Sequence, residues 1–397
     1  SGDSNVDVNT SLASGIELTT CNNFVLDHVV LENVFKGISI NENDVIEKAI
    51  NLQSQNISIF NTTISSYGII GNFKNINNLT ITESYFSSRF TGAKLEFING
   101  NVRIERNKLI AAAGALIIKD LNESNGKYVQ TGFLKNNYLS GGGESGTGLE
   151  IEDSYLNIWN NTITANGYNH GTAFYSNNSG VSLVNNIFNS PGDGYALRLN
   201  NSLLYGALKN NDFFSPKISK SLKHDNYSAL VSYDGHDFFD FQTFLSAFSN
   251  PSTWTGNLNI NPLLGNGKEP YYIGTTLLNG KGSSNVSTLD IDNNSRQSNP
   301  TIGCWEYDGS KVITNGNFSS LHLTNESGKE YPCSLSTAEL SFNFPSRICL
   351  DETVNFWNMS SWQYDNFEWY VNGVLVSSSD GFSTNFSEPG SYLITLI

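Results

Sequence analysis

Two acids, a tyrosine and an arginine stand out because their spacing places them together on one strand face. Glu150 and Glu152 are two residues apart, so both side chains lie on the same side of an extended strand. Glu152, Tyr175 and Arg198 each lie four residues after a glycine that recurs along the chain. If each glycine opens one turn of a repeat, these three residues stack in successive turns about 4.8 Å apart. The sequence therefore predicts a local polar cluster on an exposed strand face.

This cluster has the residue types needed for chemistry on an acidic polysaccharide. In a polysaccharide lyase, Ca²⁺ held by Glu150 and Glu152 would neutralise a uronate carboxylate, and Tyr175 or Arg198 would remove the α-proton. The simpler interpretation is a solvated wall, on which exposed Glu and Arg pair across turns and contribute less than about 1 kcal/mol. Lyase faces usually carry several basic residues and this face has few. We therefore assign no catalytic residue and no metal ligand, and we predict a ligand-binding role for Glu150, Glu152, Tyr175 and Arg198.

Two other acidic arrangements are weaker candidates. An inverting hydrolase could pair Glu152 with Glu96 or Asp153, but no pattern favours that pair. Residues 290–301 begin like a calcium loop with Asp290, Asp292 and Asn294, yet Ser295 and Thr301 stand where such a loop needs Gly and Glu. We expect a structural cap there, with Asp292 paired to Arg296. A further group lacks metal-ligand spacing and is expected to be a polar loop: His224, Asp225, Asp234, His236 and Asp237.

Composition limits the class of protein. Of 397 residues 15% are charged, and the formal net charge is −15. The chain has no basic stripe to meet nucleic-acid phosphates, its acidity disfavours an anionic membrane surface, and no apolar run is long enough for membrane insertion. The 4 cysteines match no zinc pattern. Cys333 and Cys349 flank a short segment and are candidates for a disulfide, among three possible pairings.

A tetrapeptide motif organises the first half of the chain at spacings of roughly 22 to 30 residues. Its second residue is small and polar, and apolar residues stand three before and two after it. Such short rungs are typical of a parallel β-helix, and the crossover rule favours a right-handed one. The motif occurs at Glu32–Phe35, Asn61–Ile64, Glu83–Phe86, Arg106–Leu109, Asn136–Leu139, Asn160–Ile163, Asn185–Phe188 and Asn210–Phe213.

The second motif residue predicts an asparagine stack along the solenoid. Stacked amides can hydrogen-bond from turn to turn, and asparagine tolerates the left-handed turn conformation. An unpaired buried amide costs about 1–3 kcal/mol, so each is expected to bond to its neighbour. Asn161 should therefore matter to stability, whereas Asn166 is assigned to a loop. The stack comprises Asn107, Asn137, Asn161, Asn186 and Asn211.

From about residue 156 the chain resembles the secreted parallel β-helix repeat proteins of Bacteroidota. Thr275–Gly280, Leu289–Asn293 with Arg296, and Thr301–Asp308 resemble the closing signature of the choice-of-anchor type. Asn293 replaces the usual glycine and Cys304 the usual alanine. Residues 237–249 fit the short helix that such proteins carry before their last rung.

The C-terminal residues resemble a polycystic-kidney-disease-type (PKD) β-sandwich. Val354–Asn358 and Phe367–Gly373 carry alternating apolar residues, Asn372-Gly373 is a hairpin signal, and a Pro-Gly turn precedes the last strand. Of Trp357, Trp362 and Trp369, the last is expected to be the buried tryptophan of the sandwich. The predicted organisation is an all-β chain with a right-handed parallel β-helix over 1–310, a linker over 311–335 and an Ig-like or PKD-like sandwich over 336–397.

These resemblances imply an extracellular or cell-surface module of a larger secreted protein that continues into further domains. We favour polysaccharide binding or adhesion without catalysis over the alternative, a polysaccharide lyase or glycoside hydrolase on an extended acidic glycan. The expected partner is an extracellular polysaccharide or other glycan. No cofactor is expected unless Ca²⁺ binds at Glu150 and Glu152.

Overall fold

The computed structural model of the chain is described residue by residue over most of the repeat region and parts of the C-terminal region. The predicted linker 311–335, Cys333, Cys349, Trp362, His170, His224 and Asp225 lie outside these ranges. The described residues are 14–18, 21–40, 54–121, 123–124, 127–128, 132–143, 146–166, 171–192, 194–215, 229–247, 254–264, 272–284, 286–307, 342–343, 354–358, 368–378, 381–387 and 392–396.

The chain divides into two compact units, Ser1–Val312 and Ile313–Ile397. Most described residues of the first unit are strand, and the strand bounds follow the chain in order. They are β1 Ser14–Leu18, β2 Val25–Asp27, β3 Val30–Ile40, β4 Ser54–Phe60, β5 Thr63–Thr82, β6 Tyr85–Ser88, β7 Thr91–Glu105, β8 Lys108–Ala111, β9 Gly114–Lys119, β10 Glu123–Ser124, β11 Lys127–Tyr128, β12 Gly132–Lys135, β13 Tyr138–Gly141, β14 Thr147–Glu152, β15 Tyr155–Trp159, β16 Thr162–Ala165, β17 Gly171–Asn177, β18 Gly180–Val184, β19 Ile187–Asn189, β20 Gly194–Asn200, β21 Leu208–Lys209, β22 Asp212–Phe214, β23 Ala229–Tyr233 and β24 His236–Phe238.

The first unit is a parallel β-solenoid of about 7 turns, which confirms the predicted fold class. Most turns contribute a strand segment to each of three faces, and these segments pair in parallel with their equivalents in neighbouring turns. By contrast, β10 and β11 form a separate antiparallel pair, and β24 pairs antiparallel with β23. Face A contains β9, β14, β17, β20 and β23, with the middle of β5 and the first half of β7. Face B contains β4, β12, β15, β18 and β21, with the ends of β5 and β7. Face C contains β6, β8, β13, β16, β19 and β22.

Columns of aliphatic side chains fill the solenoid, as the motif predicted. Ile59, Ile81, Ile104, Leu134 and Ile158 occupy one register column on face B and are all buried. Burying such stacked side chains is the main favourable term in a solenoid, at roughly 25 cal/mol per Å² of apolar surface removed from water.

The motif was placed wrongly in the first turn. The partners of Thr63 and Ile64 are Val30 and Leu31, so the equivalent tetrapeptide is His28–Leu31 and not Glu32–Phe35. His28 has a left-handed φ of 53°, as Asn61 has at 46° in the next turn, but no asparagine marks this position in the first turn. Val30, which the motif assigned to the core, is 63% exposed.

The asparagine stack is confirmed as one continuous ladder in the corner between faces B and C. The backbone N–H of Asn137 donates to Oδ1 of Asn161 at 2.9 Å, and its Nδ2 donates to the same oxygen at 2.9 Å. Asn107, Asn161, Asn186 and Asn211 repeat this pattern, and Asn257 adds one more step at the end. The left-handed conformation belongs to the preceding residue, for example Asn136 and Asn160, so the two properties expected of one asparagine are divided between neighbours.

A short helix and an irregular segment complete the described solenoid. Helix α1, Phe241–Ser246, is capped by Asp240 and confirms the helix expected before the last rung. It extends the stacked core rings Phe188 and Phe213, with Phe241 centred 5.0 Å from Phe213. None of the helices in the described ranges is long and apolar enough to cross a bilayer.

The closing segment, residues 272–307, covers the outer side of face C. It includes a 3-10 turn at Thr276–Leu278, and its Ile302, Cys304 and Trp305 form a second buried cluster with Tyr138 and Ile187. The cluster removes this part of face C from solvent.

Buried Arg296 holds the closing segment together, with a partner that differs from the predicted one. Its Nη1 lies 3.1 Å from Oε2 of Glu306, and both side chains are almost fully buried. Asp292, the predicted partner, lies 3.5 Å from Lys108 instead. The pairing crosses ten residues of irregular backbone, which local spacing did not indicate.

The loop that begins like a calcium site is satisfied by the protein itself. The buried carboxylate of Asp290 accepts hydrogen bonds from the backbone N–H groups of Asp292, Asn294 and Glu306. A carboxylate that accepts several backbone N–H bonds is already neutralised by local dipoles. These bonds fit the structural cap that the sequence predicted for this loop.

The second unit contains small antiparallel sheets. The described strands are β25 Phe342–Asn343, β26 Val354–Asn358, β27 Trp369–Val371, β28 Val374–Ser377, β29 Gly381–Thr384 and β30 Ile394–Leu396. β26 pairs with β25 and β29, and β27 pairs with β28 and β30. Trp369 is fully buried, as predicted, in a separate core with Phe356, Phe386, Ile394 and Leu396.

Candidate functional site

The four predicted site residues lie on the outer side of face A. Along each strand the side chains alternate, so the buried Leu149 and Ile151 leave Glu150 and Glu152 facing outward. Tyr175 and Arg198 face outward from the next two turns, and Arg198 is exposed. The expectation of one shared face is confirmed.

Of the two predicted neighbour pairs on this face, Tyr175 with Arg198 is confirmed, and Glu152 with Tyr175 was wrong by two residues. Glu150, and not Glu152, is the register partner of Tyr175, which in turn pairs with Arg198. Glu152 pairs with Asn177. The reason is that Gly148 was taken as the start of its turn, whereas Thr147 is the partner of Thr172 and Gly146 therefore corresponds to Gly171. Because side chains alternate along a strand, a register error of two residues leaves each side chain on the same face but gives it a different neighbour in the next turn.

Lys119 lies against both acids of the cluster, and sequence reasoning missed it. Its Nζ binds Oε2 of Glu152 and lies 3.8 Å from Oε1 of Glu150. The hydrogen bond to Glu152 raises the pKa of the Lys119 ammonium, which keeps the positive charge between the two carboxylates. The place where a Ca²⁺ was considered is thus served by a side chain of the protein.

The ion pairs continue toward the N-terminal end of face A. Glu96 binds Lys74 at 3.1 Å and also binds Lys94. Burial opposes the charge of Glu96, but the hydrogen bonds from Lys94 and Lys74 outweigh it and lower its pKa. Asp153 accepts a hydrogen bond from Asn178. Both acids considered as hydrolase partners of Glu152 are therefore already engaged.

Arg198 lies between two tyrosine rings. Its Cζ is 5.5 Å from the ring centroid of Tyr175 and 5.6 Å from that of Tyr195, distances at which a guanidinium is attracted to an aromatic face. Nδ2 of Asn200 donates to the Tyr175 hydroxyl at 3.1 Å. Within the described residues Arg198 forms no ion pair, so its N–H groups face solvent. We call Tyr175, Tyr195 and Arg198 the tyrosine–arginine patch.

Counting residues from the recurrent glycines failed to identify Tyr195 and Lys119 as outward-facing residues of face A. Tyr195 directly follows Gly194, and in the structure it extends the outer side of the strand that carries Arg198. Lys119 lies five residues after Gly114. Gly114 pairs with Thr147 and so stands one residue later in its turn than Gly171 does. Counting four residues from Gly114 therefore gives Ile118, which is buried and does not belong to the outer column. The true outer neighbour of Glu150 in that turn is Ile117.

The remaining candidates form no centre among the described residues. Asp234 accepts a hydrogen bond from the backbone of Asn201, and His236 is exposed. In the described ranges no group of three or more His, Cys, Asp or Glu side chains is placed to hold a metal ion.

Comparison of the chain with protein-family models, with curated proteins and with solved structures found no match.

Proposed function

We propose that the chain is an extracellular or cell-surface solenoid module that binds polysaccharide, in adhesion or capture, without cleaving it. The observation that carries the proposal is the tyrosine–arginine patch, where an exposed guanidinium that forms no ion pair with any described residue lies between two aromatic rings. Tyrosine rings offer flat apolar surface to sugar C–H groups, and the guanidinium offers several donors to hydroxyl or carboxylate oxygens.

The resemblances support the location. The closing segment and helix α1 fit the ending of choice-of-anchor β-helix proteins, and the buried Trp369 fits a PKD-like domain. Proteins of both kinds are displayed outside the cell, where extended glycans are the common polymer.

The lyase or hydrolase alternative has less support. Glu150 and Glu152 share Lys119, while Glu96 and Asp153 have their own partners. A catalytic acid or base must be free to exchange a proton with the substrate. Glu152→Ala is accordingly expected to change binding little, and Arg198 is expected to contribute more to binding than Glu152 does.

Affinity electrophoresis in gels containing individual plant, algal or bacterial polysaccharides tests the proposal. Arg198→Ala is expected to weaken binding about fivefold to tenfold, as loss of a charged donor stacked on aromatic rings should. Lys209→Ala, an exposed cation on face B, serves as the matched control, and the melting temperature of each variant should stay within about two degrees.

Two outcomes would contradict the proposal. One is equal retardation of parent and Arg198→Ala on every polysaccharide that the parent binds. The other is release of unsaturated or reducing ends by the parent protein, abolished in Tyr175→Phe, which would establish catalysis at this face.

A further inference from the structure

A recess lies on face B, where the outer strand residues meet the closing segment. It has a volume of about 680 Å³ and is lined by strand residues of three turns on one side and by Ser287, Thr288 and Leu289 on the other. Pockets of this size hold small ligands of one to a few rings. We call it the face B cleft.

The register places aromatic and cationic side chains side by side on the floor of the cleft. Arg103 is the register partner of Phe133, and Lys135 lies between Glu105 and Trp159 in the adjacent outer column. The rings of Phe133 and Trp159 are centred 5.3 Å apart in an edge-to-face arrangement. Phe133 is 41% exposed, so the floor presents a flat apolar surface to the solvent.

The opposite wall is fixed by buried hydrogen bonds. Nδ2 of Asn136 donates to Oγ of Ser287 at 2.7 Å and to the carbonyl of Leu289 at 2.9 Å. Oδ1 of Asn136 accepts from Nη2 of Arg296 at 2.9 Å, the same arginine that is buried against Glu306. The wall is therefore held in place before any ligand arrives, which reduces the entropy cost of binding.

The cleft carries an excess of positive charge in an acidic protein. Glu105 accepts from both Arg103 and Arg106, and Arg106 also binds Glu83. The Lys135 ammonium forms no ion pair or hydrogen bond with any described residue. Burial lowers the pKa of the Lys135 ammonium, and the negative charge of Glu105 partly offsets this effect. One desolvated cation without a partner is costly to the fold unless something binds to it.

A second polar group in the cleft is also without a partner. Nε1 of Trp159 is buried and has no acceptor among the residues that the structure describes. An unpaired buried N–H is normally satisfied in a folded protein. It gives the cleft a directed donor next to the aromatic surface.

We propose that the face B cleft binds one acidic sugar unit with a single negative charge, either a carboxylate or a sulfate ester, within an extended glycan. The sugar ring packs on Phe133, its anionic group binds Lys135 and Arg103, and Nε1 of Trp159 donates to a ring or hydroxyl oxygen. A lone lysine matches one charge. Strand addition by a peptide is disfavoured because the cleft floor is made of interior strands whose backbone groups already pair on both sides. This inference is independent of the tyrosine–arginine patch, which lies on another face.

Isothermal titration with three oligosaccharides tests the cleft. The probes are trigalacturonate, its methyl ester and a sulfated galactan trisaccharide. The parent should bind trigalacturonate or the sulfated probe, whichever anion the site prefers, and should bind the uncharged ester at least about tenfold more weakly. Affinity should also fall with added salt, since the contact is ionic.

Lys135→Met is the decisive variant. It should weaken binding of the preferred acidic probe by about tenfold or more while leaving the melting temperature unchanged or higher, because it removes an unpaired, partly desolvated charge. Lys209→Met, in the same outer column three turns away, is the matched control and should bind as the parent does. Trp159→Phe should weaken binding about threefold through loss of one donor.

Variants of the face B cleft and of the tyrosine–arginine patch should have independent effects on binding. Arg198→Ala should leave trigalacturonate binding intact, so failure of the patch does not affect the cleft. Absence of binding to both acidic probes, or equal binding by the parent and Lys135→Met, would overturn the inference. Binding of an acidic peptide in place of either sugar would overturn it as well.

Discussion

Asp212 is a carboxyl group that the solenoid keeps away from water. It is fully buried at the start of β22, where its Oδ1 accepts the backbone N–H of Ile260 at 2.8 Å and its Oδ2 has no partner. Burial raises the pKa of Asp212 to about 8, although the Ile260 bond partly offsets this effect. The folded protein therefore holds a proton here over a pH range in which the unfolded chain, with an ordinary Asp pKa near 3.8, has released it.

The stability consequence has a definite sign. Since the folded state binds the extra proton, the contribution of Asp212 is fully present below about pH 4 and is lost as pH rises toward about 8. Asp212→Asn keeps an acceptor for Ile260 and cannot ionise. We expect its melting temperature to fall less than that of the parent between about pH 5 and pH 8, measured by circular dichroism, with the exposed Asp27→Asn as control. Parallel curves for parent and Asp212→Asn would contradict this.

Lys119 and Lys135 differ in whether a nearby carboxylate is available to pair with the ammonium. Lys119 is held between Glu150 and Glu152, so its charge serves the fold. Lys135 has Glu105 as its register neighbour, but that carboxylate is occupied by Arg103 and Arg106. A lysine whose nearest acid is already engaged remains available to an external anion.

At the scale of elements, the asparagine ladder determines how the corners of the solenoid stack. Asn161 accepts from Asn137 and donates to Asn186 and to the carbonyls of Leu134 and Trp159, at 2.8 to 3.1 Å. Asn161→Leu removes these bonds and leaves several buried groups unpaired, each worth about 1–3 kcal/mol. We expect a loss of about 3 kcal/mol or more in the free energy of unfolding, seen as a melting temperature lower by at least about 5 °C.

The control for this variant must be an asparagine outside the ladder. Asn166, assigned to a loop from the sequence, donates to Oγ of Ser140 at 2.9 Å and accepts from Thr164, so it is unsuitable. Asn259 is exposed and is the better choice. A similar melting temperature for Asn161→Leu and Asn259→Leu would mean that the ladder contributes little.

The elements that the sequence predicted are those that repeat. Inward columns such as Ile104, Leu134 and Ile158 recur with one period and one chemical type, so spacing alone located them. The face A register was missed because Gly148 and Gly114 stand at different places in their turns. The Arg296–Glu306 pair and the wall of the face B cleft depend on contacts between the closing segment and distant turns, for which no local pattern exists.

At the scale of the whole chain, the predicted separation near residues 310–335 can be tested directly. Gly309-Ser310, Asn315-Gly316, Gly328 and Pro332 cluster where the repeat ends, and such residues are typical of linkers between domains. Limited proteolysis followed by mass spectrometry should release a stable fragment of roughly the first 310 residues. Early cleavage scattered through the turns would place the boundary elsewhere.

The asparagine ladder also has a direction. At each step the amide of one turn donates to the oxygen of the following turn, from Asn107 through Asn211 to Asn257. The amide dipoles therefore align head to tail along the axis, and aligned hydrogen bonds polarise and strengthen one another. An asparagine in the middle of the ladder donates to one neighbour and accepts from the other, so each of its two hydrogen bonds strengthens the other. Asn257, the last asparagine of the row, only accepts within it. Substitution by leucine should accordingly lower the melting temperature more at Asn161 than at Asn257. The hydrogen bonds of the ladder are thus cooperative, and they are weakest at the end of the row.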